Sequence, residues 1–284
     1  MSKKAIITSV LLSIIAAYAT VKITAPDTVA LSTKETAFDR VMRTKTLRCG
    51  YGIWAPGLTK DAQTGKLSGI FYDYLEAIGQ HTGLKIDWVG EIGWGDYPTA
   101  LTTGRVDAMC FGAWPKAILS KQVLFTKPTY FLPIRAYVRS NDTRFDNNLT
   151  KANNPDVVIS TMDAELSSQI AQANFSQAKT LSLPQLTDAS MLLLNVANKK
   201  ADITFTDAWT AASFMAQNPN QLKAVENVKP LRLFGHTIPI AQGEHNLLHL
   251  INTAHDEIMT SGEFEEIMAK YNTGTILILN DDYK

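Results

Sequence analysis

The order of hydrophobic patterns along residues 46–112 leaves few folds open. TLRCGYG (46–52) is a short strand-like run. GIFYDYLEAIGQHTG (69–83) places Ile70, Phe71, Tyr74, Leu75 and Ile78 at helical spacing and closes on Gly83. LKIDWVG (84–90) alternates as a strand does. DYPTALTTG (96–104) reads as a short helix stopped by Gly104, and VDAMCFG (106–112) is a strand again. Strand, helix, strand, helix, strand is the signature of a parallel sheet covered by helices.

A second series follows a long strand-like run, YFLPIRAYVR, and a polar loop at 140–156. It runs strand 157–160, helix 164–175, strand 179–183, helix 185–200, strand 201–206 and helix 208–218. LFGHTIPIAQG (233–243) reads as a returning strand, and two amphipathic helices close the chain. The expected architecture is α/β with two lobes, each a mostly parallel sheet flanked by helices. Two hinge crossings near 138–142 and 236–241 are expected to link them. The expected boundaries are lobe 1 at 45–138, lobe 2 at 142–236, and a return to lobe 1 at 241–284. Each lobe is of ordinary domain size.

The N-terminus stands apart. MSKK is positive, AIITSVLLSIIAAYA is apolar, and Ala17 to Ala19 form a small-x-small pattern. This reads as a secretory signal peptide over 1–19, with an uncleaved anchor as the rival, followed by a polar leader at 20–44. A periplasmic location is the expectation. The 27 basic and 27 acidic residues balance, so no global field favours nucleic acid. The two cysteines, Cys49 and Cys110, lie near the ends of expected strands. A bridge requires those strands to be neighbours; two buried thiols are the alternative.

Ligands of open α/β sheets bind beyond the carboxyl ends of strands. Tyr51 and Trp54 follow the first strand, Trp94 the second, and Phe111, Gly112 and Trp114 the third. The second lobe offers Asp163, Asp207 and Trp209. Four of the five tryptophans thus fall at strand exits, which suits a cleft. Asp163 and Asp207 also suit helix N-caps. His245 and His249 are spaced i, i+4 but lack an H-E-x-x-H pattern, so no metal or other cofactor is expected.

Four segments, in order, resemble the bacterial extracellular solute-binding proteins of family 3, receptors of polar amino acid ABC transporters. They are GKLSGIFYDYLEAIGQHTGLKIDWV, WGDYPTALTTGRVDAM, ADITFTDAWTAASF and SGEFEEIMAKY. The resemblance implies a type II periplasmic-binding-protein fold and a monomeric, non-enzymatic receptor that hands a small solute to a membrane permease. It further implies that Trp54 and Trp94 sandwich the ligand and that Asp207 holds an ammonium. Phe111, Gly112 and Trp114 stand where small polar residues are usual. Glu165 matches the Glu of a G-T-x-x-E turn. Leu119 replaces the arginine that clamps a carboxylate, and Lys121 or Arg135 are candidate replacements.

Two acids and several indole faces therefore point to an amine-bearing or cationic ligand. The alternatives are a cyclohexadienyl-dehydratase-like enzyme of the same fold, with Asp163 or Glu165 as general acid, and a membrane-anchored ligand sensor.

Overall fold

The computed structural model describes residues 35–271. The expected signal peptide and most of the leader lie outside them. The leader's last residues form a helix, α1 (Ala37–Thr44), which buries Val41. Thr36 caps it by accepting the Asp39 amide at 3.0 Å, and Glu244 accepts the Ala37 and Phe38 amides at 2.8 and 3.1 Å. A capped N-terminus fastened to a distant acid explains why a polar stretch is helical here.

Lobe 1 follows the expected alternation: β1 (Thr46–Tyr51), a hairpin of β2 (Thr59–Lys60) and β3 (Leu67–Ser68), then α2 (Ile70–Thr82). Next come β4 (Lys85–Glu91), α3 (Tyr97–Thr102), β5 (Ala108–Met109) and β6 (Val123–Phe125). The five apolar residues read as one face of α2 are all fully buried, and Gly83 ends the helix in the left-handed region at φ 67°. The G-R-V-D segment is structural: buried Asp107 accepts the Arg48 amide at 2.9 Å and pairs with the Arg40 and Arg48 guanidinium groups.

Lobe 2 comprises β7 (Phe131–Arg139), β8 (Val158–Met162), α4 (Leu166–Asn174), β9 (Lys179–Leu183) and α5 (Ser190–Ala197). It continues through β10 (Ile203–Asp207), α6 (Ala208–Gln217), β11 (Leu222–Ala224) and β12 (Arg232–Gly235). The chain then returns to lobe 1 through β13 (Pro239–Ala241), α7 (His245–Ser261) and α8 (Glu263–Ala269). The sheet orders are β4-β1-β5-β13-β6 and β11-β7-β10-β8-β9, with β12 also on β7. Each is mixed: β1 pairs in parallel with β4 and β5, and β8 with β9 and β10, while β13, β7, β11 and β12 run antiparallel to their neighbours.

One boundary is corrected. Strand β7, expected to finish lobe 1, pairs with β10, β11 and β12 and so belongs to lobe 2. The first crossing therefore lies at 126–130 rather than 138–142. The polar loop after β7 marks an exposed turn of lobe 2, fixed by Asp142 and Asp202 on Arg144. A composition shift reports exposure and not which sheet a strand joins. The second crossing falls at 236–238, as expected.

Cys49 and Cys110 are bridged, with Cα atoms 5.5 Å apart and both side chains fully buried. The bond fastens β1 to the exit of its parallel neighbour β5. No helix among the described residues is long and apolar enough to cross a membrane.

Candidate functional site

A cleft of about 680 Å³, open solvent at its mouth included, lies between the lobes and is lined from both. Lobe 1 contributes the loops leaving β1, β4 and β5. Lobe 2 contributes the ends of β8 and β10, the start of α4 and residues near α5. This is the carboxyl-edge position expected of open α/β sheets.

Trp54 is held by a tight turn in which its amide and carbonyl both bond Leu58, at 2.8 and 2.7 Å. Its indole stacks on His236 (5.1 Å, 8°) and on Trp209 (5.7 Å, 29°). Its Nε1–H crosses to lobe 2, donating to Asp207 Oδ2 and Thr210 Oγ1 at 3.1 Å each. Asp207 caps α6: Oδ1 accepts the Trp209 and Thr210 amides at 2.9 Å, and Oδ2 also accepts the Thr210 hydroxyl at 2.7 Å. Burial pushes this carboxyl upward while those four donors hold it down.

His236, on the second crossing, is the other hub. Its Nδ1 donates to the Gly112 carbonyl at 2.8 Å, and its Nε2 accepts the Trp114 indole N–H at 3.2 Å. A carbonyl only accepts and an indole only donates, so the ring is the neutral Nδ1–H tautomer. Gly112 permits this approach. Its φ is +80°, and a Cβ there would lie 2.2 Å from the Phe71 ring.

Complete burial lowers the His236 pKa to about 3. Above about pH 6.5 the ring is neutral in folded and unfolded chain alike, and its contribution to stability is whole. As the pH falls below that value the unfolded chain takes up a proton that the folded chain refuses, so stability drops toward pH 3. Between pH 7 and pH 5 the loss is about 2 kcal/mol. Denaturant unfolding of the wild type and of His236→Gln at both pH values should show a loss larger by that amount in the wild type, since His255, also lowered by burial, titrates in both. Equal pH slopes for the two proteins would contradict the assignment.

Across the cavity, Trp94 meets Phe111 edge-on at 4.7 Å, and Tyr97 meets Phe111 at 6.3 Å. The rim is closed by Gln185 of lobe 2, which accepts the Gly95 amide and donates to Asp96 Oδ2, both at 3.0 Å. A Cβ on Gly95 would stand 2.9 Å from that of Ala164, so only glycine admits this approach.

Of the residues the sequence pointed to, Trp54, Trp94, Phe111, Gly112, Trp114 and Asp207 line the cavity. Tyr51, Asp163 and Trp209 do not. Tyr51 points into lobe 1 against Trp88 at 6.1 Å. Asp163 is exposed and accepts the Ser182 hydroxyl at 2.5 Å, and the cap of α4 is Glu165 instead. Trp209 lies behind Trp54, against Tyr130 at 5.0 Å. Trp54 is stacked against two protein rings, and Asp207 is ringed by protein donors. Leu119 packs with a lobe 1 cluster and, like Lys121 and Arg135, does not line the cavity.

Sequence reasoning missed Lys116, Tyr97 and His236. Lys116 sits three residues before Leu119 in the same loop, and the strand-exit rule covers it. Tyr97 reads only as an apolar helix position, and nothing in the sequence marks His236. Lys116 and Glu165 face each other from opposite lobes. Burial lowers the lysine against the pull of Glu165, and burial raises Glu165 against its bonds to Ser167. Among the described residues no cluster could hold a metal.

The two α/β lobes and the cleft they share make a type II periplasmic-binding-protein-like fold. The chain belongs to the bacterial extracellular solute-binding proteins, family 3, whose sequence model it matches over residues 47–274. It is similar to a probable histidine-binding protein of Campylobacter jejuni, 24% identical over 211 residues, covering 74% of this chain and 78% of that protein. Among solved structures, an ancestral amino acid-binding protein, a precursor of cyclohexadienyl dehydratase, aligns with a TM-score of 0.73. It is 22% identical and covers 84% of this chain and 99% of its own. A binding component of an ABC transporter from Wolinella succinogenes, complexed with lysine, aligns with a TM-score of 0.72. It is 20% identical and covers 81% and 97%.

Proposed function

We propose that the protein captures a small amino acid-like solute between its lobes, outside the cytoplasm, and presents it to an ABC transporter permease. The observation that carries this reading is the cavity itself, whose walls come from both lobes across two chain crossings. A solute touching both walls favours the closed arrangement by its differential affinity for it. Aromatic walls suit a body bearing an ammonium. The relatives named for histidine binding and solved with lysine support the same class. The Cys49–Cys110 bridge fits an oxidising compartment, as does the signal-like N-terminus.

Of the two candidate general acids of the enzymatic alternative, one lies off the cavity and the other, which lines it, is engaged at a helix start. Asp163 is outside the cavity wall, and Glu165 holds the start of α4 through the Ser167 amide at 2.7 Å and hydroxyl at 2.5 Å. The test is a thermal-shift screen of the purified chain, begun after residue 19, against small nitrogenous solutes. A true ligand at about one hundred times its Kd adds about 2.7 kcal/mol of stability and raises the melting temperature by several degrees. A flat response across amino acids and amines would remove the reading.

A further inference from the structure

The polar groups around the cavity are unevenly engaged. Its acids are already occupied: Asp207 by four protein donors and Glu165 by Ser167. The hydroxyl of Thr187 donates to the Pro184 carbonyl at 2.6 Å, and the indoles of Trp54 and Trp114 are both engaged. Besides the Trp94 indole N–H, two lining groups are left over among the described residues. The hydroxyl of Tyr97 is buried with no hydrogen-bond partner among the described residues. The ammonium of half-buried Lys116 makes no hydrogen bond or ion pair among them, although Glu165 acts on it through space.

Both are donors. An ammonium drawn into a largely apolar cleft is disfavoured until an anion meets it. The complement of this wall is therefore an acceptor, and at Lys116 a negatively charged one.

We propose that Lys116, with the Tyr97 hydroxyl of the same cavity wall, holds a carboxylate of the bound solute, so that the receptor selects carboxylate-bearing solutes over simple amines and polyamines. The proposal rests on the receptor reading above and narrows its ligand class. It also shifts the weight of an amine-bearing or cationic ligand toward its anionic end, because Asp207, the group meant to attract the cation, is ringed by protein donors. The basic group falls on the β5 exit loop of lobe 1, three residues before Leu119.

The test is isothermal titration of the wild type with matched pairs that differ by a carboxylate: lysine and cadaverine, arginine and agmatine, histidine and histamine. At least one amino acid should bind, and roughly 30-fold tighter than its decarboxylated partner. Lys116→Met should weaken that amino acid by about 10- to 100-fold without weakening the amine. Lys116→Arg should stay within a few-fold of the wild type, and Tyr97→Phe should lose a few-fold on the amino acid alone. Ligand-free melting curves of the variants check that each remains folded. An amine bound as tightly as its amino acid would overturn the proposal and leave the receptor reading standing. So would an affinity for the amino acid that Lys116→Met leaves unchanged. Silence from both members of every pair would overturn the two together.

Discussion

Removing the disulfide, as Cys49→Ala with Cys110→Ala, should lower the unfolding free energy by about 4 kcal/mol. The bond closes a loop of 61 residues spanning β1 through β5. In the chain-entropy view the unfolded chain gains freedom when that loop opens, and the loss grows only slowly with loop length. The two sulfurs are also fully buried, so their deletion leaves unfilled volume in the lobe 1 core. Equilibrium denaturation in urea gives the answer directly, and the slope against denaturant should steepen as the unfolded state expands. A loss below about 1 kcal/mol would mean that the hydrogen bonds between β1 and β5 already hold the segment without help.

The second large effect is expected at Asp207. Its carboxylate accepts from the Trp209 and Thr210 amides, the Thr210 hydroxyl and the Trp54 indole, all buried. Asp207→Ala removes a helix cap and leaves several buried donors unmatched. The destabilisation should be about 3 kcal/mol or more. Asp207→Asn keeps one oxygen for the α6 amides but turns an amide group toward the Trp54 N–H. About half the loss should remain there. Urea unfolding of the three proteins at one pH measures both steps. If Asp207→Ala is nearly neutral, the contact from Trp54 across to lobe 2 is incidental and the cap of α6 is weak.

Much of the fold was legible because period carries it. The apolar face of α2 and its glycine stop lie where helical spacing put them, and the order of strands and helices in both lobes follows the alternation. The sheet that receives β7 was not legible. Pairing is a long-range choice, and a buried strand looks the same from either side of a crossing. In the site, tryptophans at strand exits were a usable signal for Trp54, Trp94 and Trp114. The same signal misled at Trp209 and at Tyr51, whose rings turn into the protein. An aspartate after a strand has two roles open to it, cap or ligand. Only coordinates separate Asp207, which lines the cavity, from Asp163, which faces solvent. His236 was invisible because its role comes from four rings and a carbonyl gathered from distant segments.

The bonds from Gln185 to Gly95 and Asp96, and from Trp54 to Asp207, run from one lobe to the other. Bonds that bridge the lobes favour the shut arrangement over the open one, whatever solute binds. Any solute that needs that arrangement gains or loses apparent affinity by the same factor when those bonds change. At Gln185, which bridges the lobes without lining the cavity, strength of capture can drift while the choice of guest stays fixed.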